Sequence, residues 1–176
     1  KVLGYEANTV NFDELAQAET KLMELRPSIL AFVASSDEVV PLLTEGDGAI
    51  GVGYVGDIFA AEEAGFTFEY IIPEEGTLLW GDNFAIPKNS PNIYTAQVFI
   101  NYLLRPDTGA KILEYNYYST PNDGVAPLVA EDLRNNPLIF PPNDVLQDSS
   151  LILSLGAEVE ARYAEIWDTF VQGNTP

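Results

Sequence analysis

The chain has 176 residues, enough for one ordinary domain or two small lobes. It carries 27 Asp and Glu against 8 Lys and Arg, a formal net charge of −19, which argues against nucleic acid or an anionic membrane surface as partner and favours a cationic one. With no His and no Cys, imidazole triads, thiolate nucleophiles, His/Cys zinc sites and disulfides are excluded, whereas all-oxygen metal sites and carboxylate-pair chemistry are not. Hydrophobic residues make up 47%, so a sizeable core is expected, and strands alternating with helices predict an α/β layer fold. Asn11 with Glu14 forms a capping signal, and Leu15, Ala18, Leu22 and Leu25 follow at helical spacing up to Pro27. Residues 29–33 read as a strand. Ser36 is placed to cap a second helix that stops at Gly46, in which Pro41 is awkward unless it sits near the first turn. Residues 49–55 read as a small-residue strand packed closely on helices and ending in a turn at Gly56. A short helix over 57–64 closes at Gly65, and 66–72 alternates like a strand. The apolar stretch 77–86 is broken at Gly81-Asp82-Asn83. Ala96, Phe99, Ile100, Leu103 and Leu104 share a face of a strong helix over 93–104. A helix over 107–115, a proline-rich loop over 121–142 with a short helix inside 126–134, and a last helix over 156–170 complete the chain.

Three local signals bear on chemistry. Gly51-Val52-Gly53-Tyr54-Val55-Gly56 is a literal GxGxxG, but the turn Glu45-Gly46-Asp47-Gly48 leaves only Ala49 and Ile50 for the strand that a nucleotide fold requires. Carboxylate pairs such as Asp107 with Glu114 could serve as acid and base. Among 27 carboxylates such pairs arise by chance, and a solvated helix face is the simpler reading. Asp144 to Asp148 is too sparse for a calcium loop. The third signal is the group Tyr54, Asp57, Trp80, Asp82 and Tyr118 near strand ends. In an extended segment Trp80 and Asp82 face the same side, with Gly81 leaving the backbone open between them. A ring beside a carboxylate suits an organic ammonium, whose charge the ring face attracts and whose N–H groups the carboxylate accepts. Trp80 as a core residue and Asp82 as a turn residue is the alternative.

The order Gly51 to Asp57, Ile72-Pro-Glu-Glu-Gly-Thr77, Leu79-Trp-Gly-Asp-Asn83, Ala85-Ile-Pro87, Phe99 to Pro106, Tyr118-Ser-Thr-Pro-Asn122 and the Tyr163–Phe170 helix with Trp167 resembles the spermidine/putrescine-binding proteins of bacterial ABC importers. The resemblance covers nearly the whole chain. It implies a partial periplasmic binding protein type II-like α/β fold, a second lobe plus the C-terminal part of the first. Residues 1–80 and 134–176 would belong to the second lobe and 81–133 to the first. The chain thus resembles the C-terminal half of a longer, processed protein.

By the same resemblance the protein is no enzyme and needs no cofactor or metal. It would bind a polyamine in an interlobe cleft and deliver it to an ABC permease from the periplasmic or outer face of the membrane, free or lipid-anchored. Asp82 falls on the amine-binding Asp, Trp80 on a stacking Trp, and Tyr118 on the Tyr before Thr-Pro-Asn. Tyr54 stands where some members have Trp, and Asp57 adds a second negative charge. Near Ile152, where some members carry a Gln, the sequence is apolar. Another organic cation is the alternative cargo. A nucleotide-dependent or carboxylate-pair enzyme is the alternative class. No apolar run approaches the roughly 18 residues of a membrane span, so membrane insertion by this chain is not expected.

Overall fold

The computed structural model describes residues 1–35 and 38–173. Ser36, the expected cap of the second helix, lies outside them. Among the described residues eight α-helices and two short strands follow in chain order: α1 Phe12–Leu25, α2 Val39–Thr44, α3 Val55–Glu63, β1 Leu78–Leu79, α4 Ile93–Leu103, α5 Pro106–Asn116, α6 Glu131–Arg134, α7 Asn143–Asp148, β2 Ser150–Leu151 and α8 Ala157–Gln172. Single 3-10 turns stand at Arg26–Ser28 and Ala126–Leu128. Two helix starts follow directly from local chemistry. Asn11 Oδ1 accepts the Asp13 N–H at 3.0 Å to open α1. Glu14 takes the Asn11 side-chain amide at 3.3 Å instead of its backbone N–H, so the expected capping box is closed through side chains. Pro106 opens α5, where its missing N–H costs nothing.

Packing divides the chain into two compact units. One comprises Lys1–Val52, Ile71–Trp80 and Gln147–Pro176; the other comprises Gly53–Tyr70 and Gly81–Leu146. Packing thus groups 53–70 and 134–146 with 81–133.

In the first unit α1 lies against α8, with Leu15, Ile166 and Phe170 buried. Phe32 meets Trp167 and Phe170 edge-on, at centroid distances of 5.8 and 5.1 Å. Arg26 stacks over Phe32 and donates from Nε to the Phe170 carbonyl at 2.9 Å, near the negative end of α8. Arg162 of α8 pairs with Glu19 of α1 and, at 2.8 Å, with Glu165. The β1–β2 ladder is parallel, Leu78 opposite Ser150 and Leu79 opposite Leu151. Asn8 extends it with a side chain: its amide donates to the Leu151 carbonyl at 2.7 Å and accepts the Leu153 N–H at 3.0 Å.

The second unit is built on α5. Ala110 and Leu113 pack with Val125, Val129 and Ile139, and Phe59, Tyr117, Leu133 and Phe140 line that cluster. Each large apolar side chain buried there contributes about 1.5–3 kcal/mol.

Three expected strands, 29–33, 49–55 and 66–72, form no ladder among the described residues. A strand is made by pairing with a neighbour's backbone groups, and local sequence does not supply that neighbour. The 49–55 segment is nonetheless closely packed at one point. A Cβ on Gly51 would lie 2.3 Å from Val39 Cγ1 of α2, so only glycine fits that approach. Gly56 belongs to α3 and not to a turn, because the helix begins two residues before the expected 57. The region over 126–134 splits into a 3-10 turn and α6, with Val129 extended between them. Phe99 and Leu104, expected on the packed face of α4, are exposed, while Ala96, Ile100 and Leu103 are half-buried.

Candidate functional site

β1 ends one residue before Trp80, so Trp80 leaves from the carboxyl end of the parallel pair, the end at which ligands of α/β sheets bind. Trp80 is the last residue of the first unit and is 47% exposed. Asp82 stands at the exposed start of Gly81–Leu146, the later segment of the second unit, where the Asn83 amide donates to the Gly81 carbonyl at 3.0 Å.

The other three expected residues meet in the second unit at the start of α3. Tyr54 precedes the helix with extended backbone and an exposed ring. Asp57, at the third helical position, accepts the Tyr54 N–H through Oδ2 at 2.7 Å. This N–H…carboxylate bond starts α3 at Val55, and the negative charge is favoured at the positive end of the helix. Tyr118 comes from beyond the end of α5 and lies against Gly56: a Cβ there would be 3.1 Å from Tyr118 Cζ and Oη. Burial and then the Asp57 charge push the Tyr118 phenol above its ordinary pKa, while the Gly56 N–H pulls it the other way.

Tyr70 and Tyr117 complete the surroundings. The Tyr70 hydroxyl reaches the Gly53 carbonyl at 3.5 Å, and its pKa too is raised by burial and then by Asp57. Tyr117 stacks on Phe59 at 4.5 Å and 20° and donates to Glu63 at 2.6 Å, both on α3. It is also the one described residue other than glycine with a left-handed backbone, φ +60° and ψ +18°. Sequence reasoning missed both. Tyr70 lay hidden in an aromatic stretch read only as a strand, and no residue type signals a left-handed Tyr, since Gly and Asn are the usual occupants.

The cluster joins phenol hydroxyls and ring faces to one carboxylate at a helix N-terminus. Such an arrangement accepts N–H donors and offers ring faces to a cation. The Asp57 carboxylate occupies the end of α3 where a pyrophosphate would have to sit, and no strand precedes Gly51 among the described residues, so the GxGxxG does not form a dinucleotide loop. Asp107 forms a two-point pair with Arg105, both bonds 3.0 Å, and this holds its pKa below the usual carboxylate range, the reverse of what a general acid needs. Asp144 and Asp148 lie in α7, a helix rather than a calcium loop. No described helix is long and apolar enough to cross a membrane.

Residues 1–141 match the family model described as bacterial extracellular solute-binding protein. The chain is 33% identical to the putrescine-binding periplasmic protein SpuD of Pseudomonas aeruginosa, over 97% of this chain and 48% of that protein. It is 37% identical to the putrescine-binding periplasmic protein PotF of Escherichia coli, over 81% of this chain and 40% of that protein. The crystal structure of the spermidine/putrescine ABC transporter substrate-binding protein PotD from Streptococcus pneumoniae superposes with a TM-score of 0.81 at 29% identity, covering 97% of this chain and 52% of that one. The chain therefore spans about half the length of the curated relatives it matches.

Proposed function

The chain belongs to the family of bacterial extracellular solute-binding proteins, and on that premise we propose that it is part of a polyamine-binding component of an ABC importer, acting on the periplasmic or outer face of the membrane. Its fold is the α/β fold of the periplasmic binding proteins, present in part. The observation that carries the ligand class is the cluster of Tyr54, Asp57 and Tyr118 at the start of α3, in a protein of net charge −19 whose relatives are named for putrescine and spermidine. In this reading Asp82 pairs with an ammonium group, and Trp80, Tyr54 and Tyr118 pack on methylenes and cationic ends, in the interlobe cleft that the resemblance implies. Residues 1–80 with 134–176 and residues 81–133 would fall to its two lobes, except that 53–70 and 134–146 pack with the segment 81–133. Each buried methylene contributes about 0.8 kcal/mol and each cation–π contact about 0.5–2 kcal/mol, so the slot measures both charge and amine spacing. Closure of the lobes around the ligand would present the surface that an ABC permease reads.

The test is calorimetric titration with spermidine and putrescine on the protein at its full natural length. Removing the charge of Asp82 forfeits a charge-assisted hydrogen bond, so Asp82→Asn weakens binding roughly tenfold or more. An unchanged dissociation constant overturns the role of Asp82. A thermal-shift response to other organic cations but not to polyamines overturns the ligand class.

A further inference from the structure

We infer that Gly56 is a positioning residue for Tyr118: the side chain it lacks is the space in which the Tyr118 phenol lies against the first turn of α3, beside Asp57. The inference rests on the polyamine-site reading, since it concerns how one of that site's rings is held. Three observations carry it. First, a Cβ on Gly56 would meet three atoms at 3.1 Å: the Asn116 carbonyl oxygen, Tyr118 Cζ and Tyr118 Oη. Each of the three would have to give by a few tenths of an ångström, and since the Asn116 carbonyl is backbone at the end of α5, the Tyr118 ring is the neighbour freer to yield.

Second, the chain that delivers Tyr118 is fixed from the other side. Tyr117 takes the left-handed conformation directly after α5, stacks on Phe59 and donates to Glu63. The neighbouring tyrosines thus grip α3 at two places, Tyr117 along its later turns and Tyr118 at its start. The Tyr118 N–H donates to Asn116 Oδ1 at 3.0 Å, which tightens the reversal between them. Third, glycine has no backbone reason to be there. Gly56 sits inside α3, where glycine is less favourable than alanine, and its φ is not left-handed. The missing side chain serves contact with Tyr118 and Asn116, not a turn.

The test compares Gly56→Ala, Tyr118→Ala and the double variant by spermidine calorimetry and near-ultraviolet circular dichroism. Alanine favours the helix, so Gly56→Ala keeps its far-ultraviolet helix signal. Overpacking displaces the phenol, and spermidine affinity falls roughly fivefold or more. In the Tyr118→Ala background there is no ring to displace, and Gly56→Ala causes no further loss. An equal loss in both backgrounds overturns the inference, as does no loss from Gly56→Ala where Tyr118→Ala weakens binding. The dichroism separates the inference from the functional reading. The difference between the protein and its Tyr118→Ala variant reports the packed ring, and it shrinks when Gly56→Ala is present. Persistence of that difference overturns the positioning of Tyr118. Unchanged spermidine affinity in both Tyr118→Ala and Asp82→Asn overturns the site reading instead.

Discussion

Asp57 holds the first turn of α3 through the Tyr54 N–H and at the same time sets the charge felt by Tyr70 and Tyr118. A phenol that is partly buried beside a carboxylate resists becoming a phenolate, since that would place a second negative charge in a poorly solvated spot. Tyr70, Tyr118 and Tyr163 are all raised above 10.0, burial being the larger cause in each; Asp57 is the charge for the first two and Glu14 for the third. The consequence for stability has a definite sign. Between the ordinary pKa and the raised one the unfolded chain has lost protons that the folded chain keeps, so stability falls as pH rises. These tyrosines therefore contribute stability that is complete below pH 10 and lost above it. Urea unfolding followed across alkaline pH reads this as a midpoint that drops beyond pH 10, with a shallower drop in Tyr70→Phe and Tyr118→Phe. A drop of unchanged steepness in both variants removes these two tyrosines from the account.

Among the elements, α5 organises the second unit, and Leu113 is its most informative residue. It is 1% exposed and packs among Val125, Val129 and Ile139. Leu113→Ala leaves a cavity that this cluster only partly fills, at a cost of about 2–5 kcal/mol. Chemical denaturation should show the loss, and a change below about 1 kcal/mol would mean that the cluster can collapse onto the gap. α5 was also among the elements most legible in the sequence, expected over 107–115 and observed over Pro106–Asn116. α1 was legible because its apolar periodicity and its Asn11 cap act within a few residues of the helix they define, and α8, expected over 156–170, was observed over Ala157–Gln172. The expected strands over 29–33, 49–55 and 66–72 were not decided locally, because a ladder depends on which backbone lies alongside. The start of α3 was misplaced by two residues because its cap works backward, from Asp57 to Tyr54. At the candidate site, position near expected strand ends and the family resemblance picked out Tyr54, Asp57 and Tyr118 but not their meeting point, beside the bare Gly56 and next to the left-handed Tyr117. The Thr120-Pro121-Asn122 motif was one of several that together carried the resemblance, and its Asn122 is a structural clasp that donates to the Leu104 carbonyl at 2.8 Å and accepts the Gly124 N–H at 3.0 Å.

For the molecule as a whole the net charge of −19 acts in two opposite directions. Like charges repel within the compact state and destabilise it, while the same field draws in a polycation and speeds its capture. Salt weakens both effects, since the screening length falls to about 10 Å at 0.1 M. Raising sodium chloride from low to moderate concentration should therefore raise the melting temperature and, if the proposed polyamine binding holds, lower polyamine affinity in the same preparation. Spermidine, with one more ammonium group than putrescine, should lose more affinity over that range. The exposed Asp82 would feel the screening more than the half-buried Asp57, so Asp82→Asn should flatten the salt dependence of binding. Paired melting and calorimetric titrations decide it. Affinity that does not respond to salt would show that the rings and methylenes, rather than the carboxylates, carry recognition, and the acidic composition would then be a matter of solubility alone.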